Sequence, residues 1–172
     1  RGGDFWWYDS ASHALNGVFL LDFLRQGGWM SPLSYALNYF AHYPALTIGF
    51  YPPGFAIYLV PFYAVFGVSQ ASAQIAVSVA TFLMAWGVLD LAQRGGLTPA
   101  QAFAAALLSI AFPEMLVWER EIQPEVLSYA CAVWSLGFLV RWLDSGRPRQ
   151  LLWTGVLFVA SLYVKQTTVL LA

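Results

Sequence analysis

The chain reads as an all-α, polytopic membrane protein with about four spanning helices and interfacial helices in an N-terminal outer loop. Of its 172 residues, 59% are hydrophobic and only 10% are charged, more apolar surface than a soluble domain of this size can hide. The apolar residues gather in runs of about 20, the length that matches a hydrocarbon core of roughly 30 Å. Four of the arginines, Arg94, Arg141, Arg147 and Arg149, fall in or beside two short loops separated by a pair of such runs, as a ladder with its basic loops in the cytoplasm requires. A soluble helical bundle would show polar stripes along its helices, and none is visible.

Taken in order, residues 1–50 read as an extracytoplasmic loop. The stretch after Asp9 can form a helix that stops at Gly27-Gly28, where glycine suits a helix end. His13, Asn16, Asp22 and Arg25 interrupt its apolar surface, so it is expected to rest on the membrane. Trp6, Trp7, Tyr8 and Trp29 add the amphipathic rings common at headgroup level. Segment 51–67 is short for a span and carries Pro52-Pro53 and a girdle of aromatics from Tyr51 to Phe66. An interfacial or re-entrant helix is the favoured reading; if the segment crosses instead, Asp9 lies inside.

Four runs then read as spans, at 71–92, 99–117, 124–143 and 151–172. Pro99 and Pro124 stand where proline is tolerated, at the first helical position. Arg94, Arg141, Arg147 and Arg149 fall in or beside the loops after the first and third spans, which places those loops in the cytoplasm. The loop 118–123, with Glu119, Arg120 and Glu121, then faces outward. So does Lys165, about 15 residues or roughly 22 Å beyond the start of the fourth span. Residues 1–172 form part of one transmembrane domain, with 71–172 as its helices. With no initiator Met, no signal peptide and an apolar run still open at the C-terminus, the chain is expected to be truncated at both ends.

A net charge of −1 with scattered basic residues leaves no footprint for nucleic acid. The lone Cys131 cannot form an intrachain disulfide and reads as a small apolar residue.

The chemistry rests on a few polar residues held at the outer surface. Asp9 can act as a general base or cap the helix that follows it; Asp4 is a nearby substitute. Glu125 sits in the first turn of a helix, where the dipole favours a carboxylate whatever its role. Together with Glu119, Arg120 and Glu121 it makes a compact charged cluster that would be costly to hold at a membrane without function. Lys165 interrupts an apolar run, either to snorkel toward headgroups or to anchor a lipid-linked phosphate. His13 and His42 leave a divalent metal open, although no ligand spacing marks such a site.

In order and spacing, these residues resemble the GT-C-fold glycosyltransferases of the dolichyl-phosphate-mannose protein mannosyltransferase and bacterial aminoarabinose transferase type. The family's acidic stretch after its first helix is similar to Asp9-Ser10-Ala11-Ser12-His13 here. Its Lys-Pro-Pro-Leu stretch is similar to Tyr51-Pro52-Pro53-Gly54, its outer-loop acid after an arginine to Arg120 through Glu125, and its late lysine to Lys165. Ser10 stands in place of a second acid, His13 in place of a tyrosine and Tyr51 in place of a lysine. That last departure throws the weight of phosphate binding onto Lys165 and Arg120.

The resemblance implies an inverting transfer of a sugar from a polyprenyl-phosphate carrier to an acceptor on a protein, lipid or glycan. The site would face the extracytoplasmic side of the plasma or inner membrane, among membrane lipids. Asp9 and Glu125 would be catalytic; Lys165, Arg120, Tyr51, His13 and Asp4 would bind the lipid phosphate or the acceptor. The competing reading is a transporter or channel fragment with Glu125 and Lys165 lining the path. That reading predicts charge near mid-bilayer and an inverted repeat, whereas the outer charges lie near helix ends and no repeat is visible.

Overall fold

The computed structural model describes residues 8–167. Eight α-helices follow one another: α1 (Tyr8–Arg25), α2 (Pro32–His42), α3 (Gly54–Phe66), α4 (Gln70–Arg94), α5 (Pro99–Ala111), α6 (Pro113–Trp118), α7 (Glu125–Ser145) and α8 (Pro148–Val164). A 3-10 turn at Gly28–Met30 joins α1 to α2, and no strand occurs among the described residues. The fold is all-α. Helices α4 and α7, of 25 and 21 residues, are long and apolar enough to cross a membrane.

Local chemistry sets the boundaries. The Ser69 hydroxyl caps α4 by accepting from the Ser72 amide at 3.1 Å, and Thr98 with Gln101 forms a reciprocal capping box ahead of Pro99. Two runs differ from the expectation. The stretch 99–117 is not one helix but two, because Pro113 forces the residue before it out of the helical region; Phe112 is extended, at φ −62 and ψ 132. The 13 residues of α5 therefore reach only about 20 Å. The last helix begins at Pro148 and ends at Val164, so Lys165 lies just past it in extended conformation (φ −150, ψ 120). Helix α3 has 13 residues, again about 20 Å and short of a roughly 30 Å core.

Small residues on α4 let its neighbours approach closely. Ala73, Ala76, Ala80 and Gly87 lie three to seven positions apart along that helix and are buried. On one side Tyr58 of α3 donates to the Ala76 carbonyl at 2.9 Å. On the other, a side chain at Gly87 would come within 2.9 Å of Val133 on α7, and the Trp134 indole donates to the Leu83 carbonyl at 2.8 Å. Asp90 near the end of α4 pairs with Arg141 near the end of α7, seven residues beyond Leu83 and Trp134 on each helix, so α4 and α7 run parallel. Helix α8 returns antiparallel to α7, pinned where Ser128 donates to the Ser161 carbonyl at 3.1 Å and Ser135 to that of Thr154 at 2.8 Å. Helix α1 lies along α3, with Gly17 against Leu59 and Tyr63. Phe19 of α1 meets the Tyr39 ring of α2 at 5.1 Å.

This topology gives the bundle two chemically distinct ends. Arg94, Arg141 and Arg147 lie at one end, near the last turns of α4 and α7 and the start of α8. Glu125 and Lys165 lie at the other. Large apolar side chains such as Phe82, Trp86, Phe103, Leu136, Leu152 and Val159 cover the outside, the surface of an integral membrane protein.

Candidate active site

Four chain segments converge at the end away from the arginines. The first turn of α1 brings Asp9, which lies inside the helix that begins at Tyr8 and so belongs to its first turn, not to the cap. One turn on, His13 is buried. The loop before α3 brings Tyr51, the first residue of α7 is Glu125, and Lys165 follows the end of α8. Close approach of α3 to α8 depends on Gly54, because a Cβ there would stand 2.5 Å from the backbone oxygen of Tyr163.

Asp9, His13, Tyr51, Gln123, Glu125 and Lys165 share one cavity of about 210 Å³. The Lys165 ammonium is ion-paired with Oε1 of Glu125 and lies 5.9 Å from the Trp118 ring centre. The other carboxylate oxygen, Oε2, is buried with no hydrogen-bond partner, although Glu125 is only 5% exposed. A carboxylate oxygen left bare at this depth is costly, and a buried polar atom without a partner calls for an explanation in function.

The His13 ring packs against Tyr51 at 4.6 Å and, edge-on, against Phe55 at 5.9 Å. Burial pulls its pKa down to about 4; the Asp9 carboxylate opposes that shift and the Lys165 ammonium adds to it. The imidazole is therefore neutral near pH 7 and serves as a wall of the cavity. Burial also raises the pKa of Glu119, against the opposing charge of Arg120.

Two larger cavities adjoin this one. A space of about 620 Å³ runs from Asp9 and Tyr51 along Leu37, Phe40, Leu46 and Ile48. Another, of about 490 Å³, runs from Tyr51 past Pro52 to Val159 and Leu162 on α8. Tyr51 borders all three and Asp9 borders two, so a molecule in either apolar space can reach the charged one.

The convergence takes in Asp9, His13, Tyr51, Glu125 and Lys165, and it leaves out Arg120. That side chain is exposed and lines none of these three cavities. The loop after α6 turns Glu121, Ile122 and Gln123 inward instead. His42 is exposed, its Nδ1 at 2.7 Å from the Asn38 carbonyl, and Asp4 lies outside the described residues. Among the described residues, no three His, Cys, Asp or Glu side chains gather closely enough to hold a metal ion.

Sequence reasoning missed Ser10, Glu121 and Gln123 as a unit. Ser10 is fully buried; its hydroxyl donates to Oε2 of Glu121 at 2.7 Å and accepts from Nε2 of Gln123 at 3.2 Å. The one signal available was Ser10 itself, a hydroxyl where the resembling family carries an acid.

A helical membrane protein that gathers an acid, an ion pair and aromatic walls in one cavity, with apolar spaces opening onto it, has the parts of an enzyme working on amphiphilic substrates. The family model for dolichyl-phosphate-mannose-protein mannosyltransferase matches residues 51–172. The chain belongs to that family and is a membrane glycosyltransferase. No curated protein matches the chain, and no solved structure does. The matched region contains Tyr51, Glu125 and Lys165 but begins after Asp9, so the case for Asp9 stands on geometry.

Proposed function

We propose that the chain transfers a sugar from a polyprenyl-phosphate carrier to an acceptor hydroxyl or amine on the extracytoplasmic side of the cell membrane. The observation that carries this reading is the cavity shared by Asp9 and the Glu125–Lys165 pair, a base and a cation within one small space. Asp9 takes the acceptor proton as the acceptor atom attacks the anomeric carbon. The bond from that carbon to the phosphate oxygen breaks, and the Lys165 ammonium stabilises the charge left on the lipid phosphate. Glu125 orients that ammonium. Attack opposite the leaving phosphate inverts the anomeric centre. The arginine-bearing end of the bundle then faces the cytoplasm, with α5 and α6 together making one crossing, α8 another, and the first fifty residues lying outside.

Replacing Asp9 with Asn in the full-length protein tests the reading, because Asn keeps the size and polarity of the side chain but cannot act as a carboxylate base. Transfer from a lipid-linked sugar is expected to fall by about 10²-fold or more, with folding intact. Near-normal turnover in that variant would refute Asp9 as the base.

A further inference from the structure

The Ser10–Glu121–Gln123 cluster directly links two parts of the site that the helix packing joins through α3. Helix α1 rests on α3 and α2, whereas Glu125 and Lys165 are carried by α7 and α8. Beside the packing of α1 on α3 and of α3 on α8, the direct tie between the turn bearing Asp9 and the Glu125–Lys165 pair is the one from that turn to the loop in front of α7. Ser10 is the residue next to Asp9, and Gln123 is two residues before Glu125. Glu121 and Gln123 are each 5% exposed and Ser10 is 0% exposed, so the hydrogen bonds at 2.7 and 3.2 Å are shielded from competing water.

We infer that Glu121, acting through the Ser10 hydroxyl, is a positioning residue that holds Asp9 in register with the Glu125–Lys165 pair. The inference rests on the reading of Asp9 as the acceptor base. A hydroxyl that donates to one side chain and accepts from another has its direction set from both sides, which fixes the helical turn carrying Asp9. A carboxylate is the strongest acceptor available for that donor. Loosening the turn leaves the lysine in place, because Lys165 and Glu125 are anchored through α7 and α8. Donor binding is thus expected to persist while the chemical step slows; a displacement of about 1 Å can cost as much as 10²-fold in rate.

The test uses full-length protein and two readouts, in Ser10→Ala, Glu121→Ala and Glu121→Gln. Amide hydrogen exchange over residues 8–16 is expected to quicken in the two alanine variants, with 70–94 and 125–145 unchanged. With a lipid-linked sugar as donor, kcat is expected to fall at least about tenfold in the same variants, with donor KM within about twofold. Glu121→Gln keeps an acceptor for the Ser10 hydroxyl and is expected to recover most of the loss. Unaltered exchange at 8–16, unaltered kcat, or a KM that rises as much as kcat falls would each overturn the inference. If Glu121→Ala does not fold, Ser10→Ala, the smaller change, decides. A parent that transfers no sugar would bring down the proposed function alone, and the exchange readout would still show whether the latch holds the turn bearing Asp9.

Discussion

The two ends of the bundle use the same ingredients, carboxylates paired with cations, to opposite effect. At the arginine end, Asp90 accepts from Nε of Arg94 at 2.9 Å and pairs with Nη2 of Arg141 at 2.8 Å. One acid holds two guanidinium groups, and both oxygens of Asp90 have partners. Nη1 of Arg141 is buried without a hydrogen bond, but its guanidinium lies 4.8 Å from the Phe138 ring and 5.6 Å from that of Trp134, whose faces attract a cation. At the other end the Lys165 ammonium meets the Glu125 carboxylate, whose Oε2 has no hydrogen-bond partner, and the pair opens onto a cavity. The comparison separates an ion pair that completes itself from one that leaves capacity for another molecule.

That difference predicts unequal responses to mutation, the largest at Lys165. In Lys165→Ala, the Glu125 carboxylate, 7% exposed by side chain, loses the ammonium that compensates it. Breaking a buried pair costs about 3–5 kcal/mol, and partial exposure of Lys165 puts the expected loss at the lower end. Replacing both partners, as Lys165→Met with Glu125→Gln, is expected to recover most of the stability but none of the transfer. Thermal unfolding in detergent, run beside a transfer assay, checks both parts. A double variant as unstable as the single one would show that the burden is packing and not an orphaned charge.

Acidification sharpens the contrast, since the cavity holds a buried titratable ring and the arginine end has none. His13 has a pKa of about 4 in the folded chain against 6.5 unfolded, so the unfolded chain takes up the proton first as pH falls. The stability held by the neutral ring is fully present above about pH 6.5, is lost between there and about pH 4, and amounts to about 3 kcal/mol. In His13→Phe the unfolding temperature is expected to fall less between pH 7 and pH 5 than in the parent. Parallel pH curves for the two proteins would assign the acid sensitivity to another group.

What the sequence made legible follows from the range over which each feature is decided. Helices α4 and α7 stand out because their runs are long and nearly uncharged, and the arginine loops identify which helix ends lie together. The break at Phe112 escaped notice because Pro113 closes an alanine-rich stretch whose composition reads as one continuous helix. Lys165 was expected within a helix, whereas it caps one, and its ammonium meets Glu125. The alternation of sides put Glu125 and Lys165 at one surface, and Asp9 with them if segment 51–67 does not cross, but bringing the three into one cavity is the work of packing. Which side chains of the loop at 118–123 turn inward was not, because a non-helical loop has no period, and Arg120 points outward while Glu121 is buried. The Ser10–Glu121 hydrogen bond spans 111 positions, a pairing that no local pattern in one sequence encodes.

The smallest expected effect lies at the arginine end and is the strictest check on the comparison. In Asp90→Asn the side chain keeps an oxygen that can accept from Arg94 or Arg141, and all three groups have solvent contact, at 21%, 34% and 17%. The more exposed pair, Asp90–Arg94, contributes about 0–1 kcal/mol, and Arg141 retains the ring faces of Phe138 and Trp134. The unfolding temperature is therefore expected to change little, and transfer should stay within about twofold of the parent, since no group at this end touches the cavity. Orientation in the membrane should also persist, because arginines set it and acids contribute little. A large drop in transfer with stability unchanged would mean that the two ends are coupled through α4 and α7, and that the arginine cluster belongs to the working parts of the enzyme.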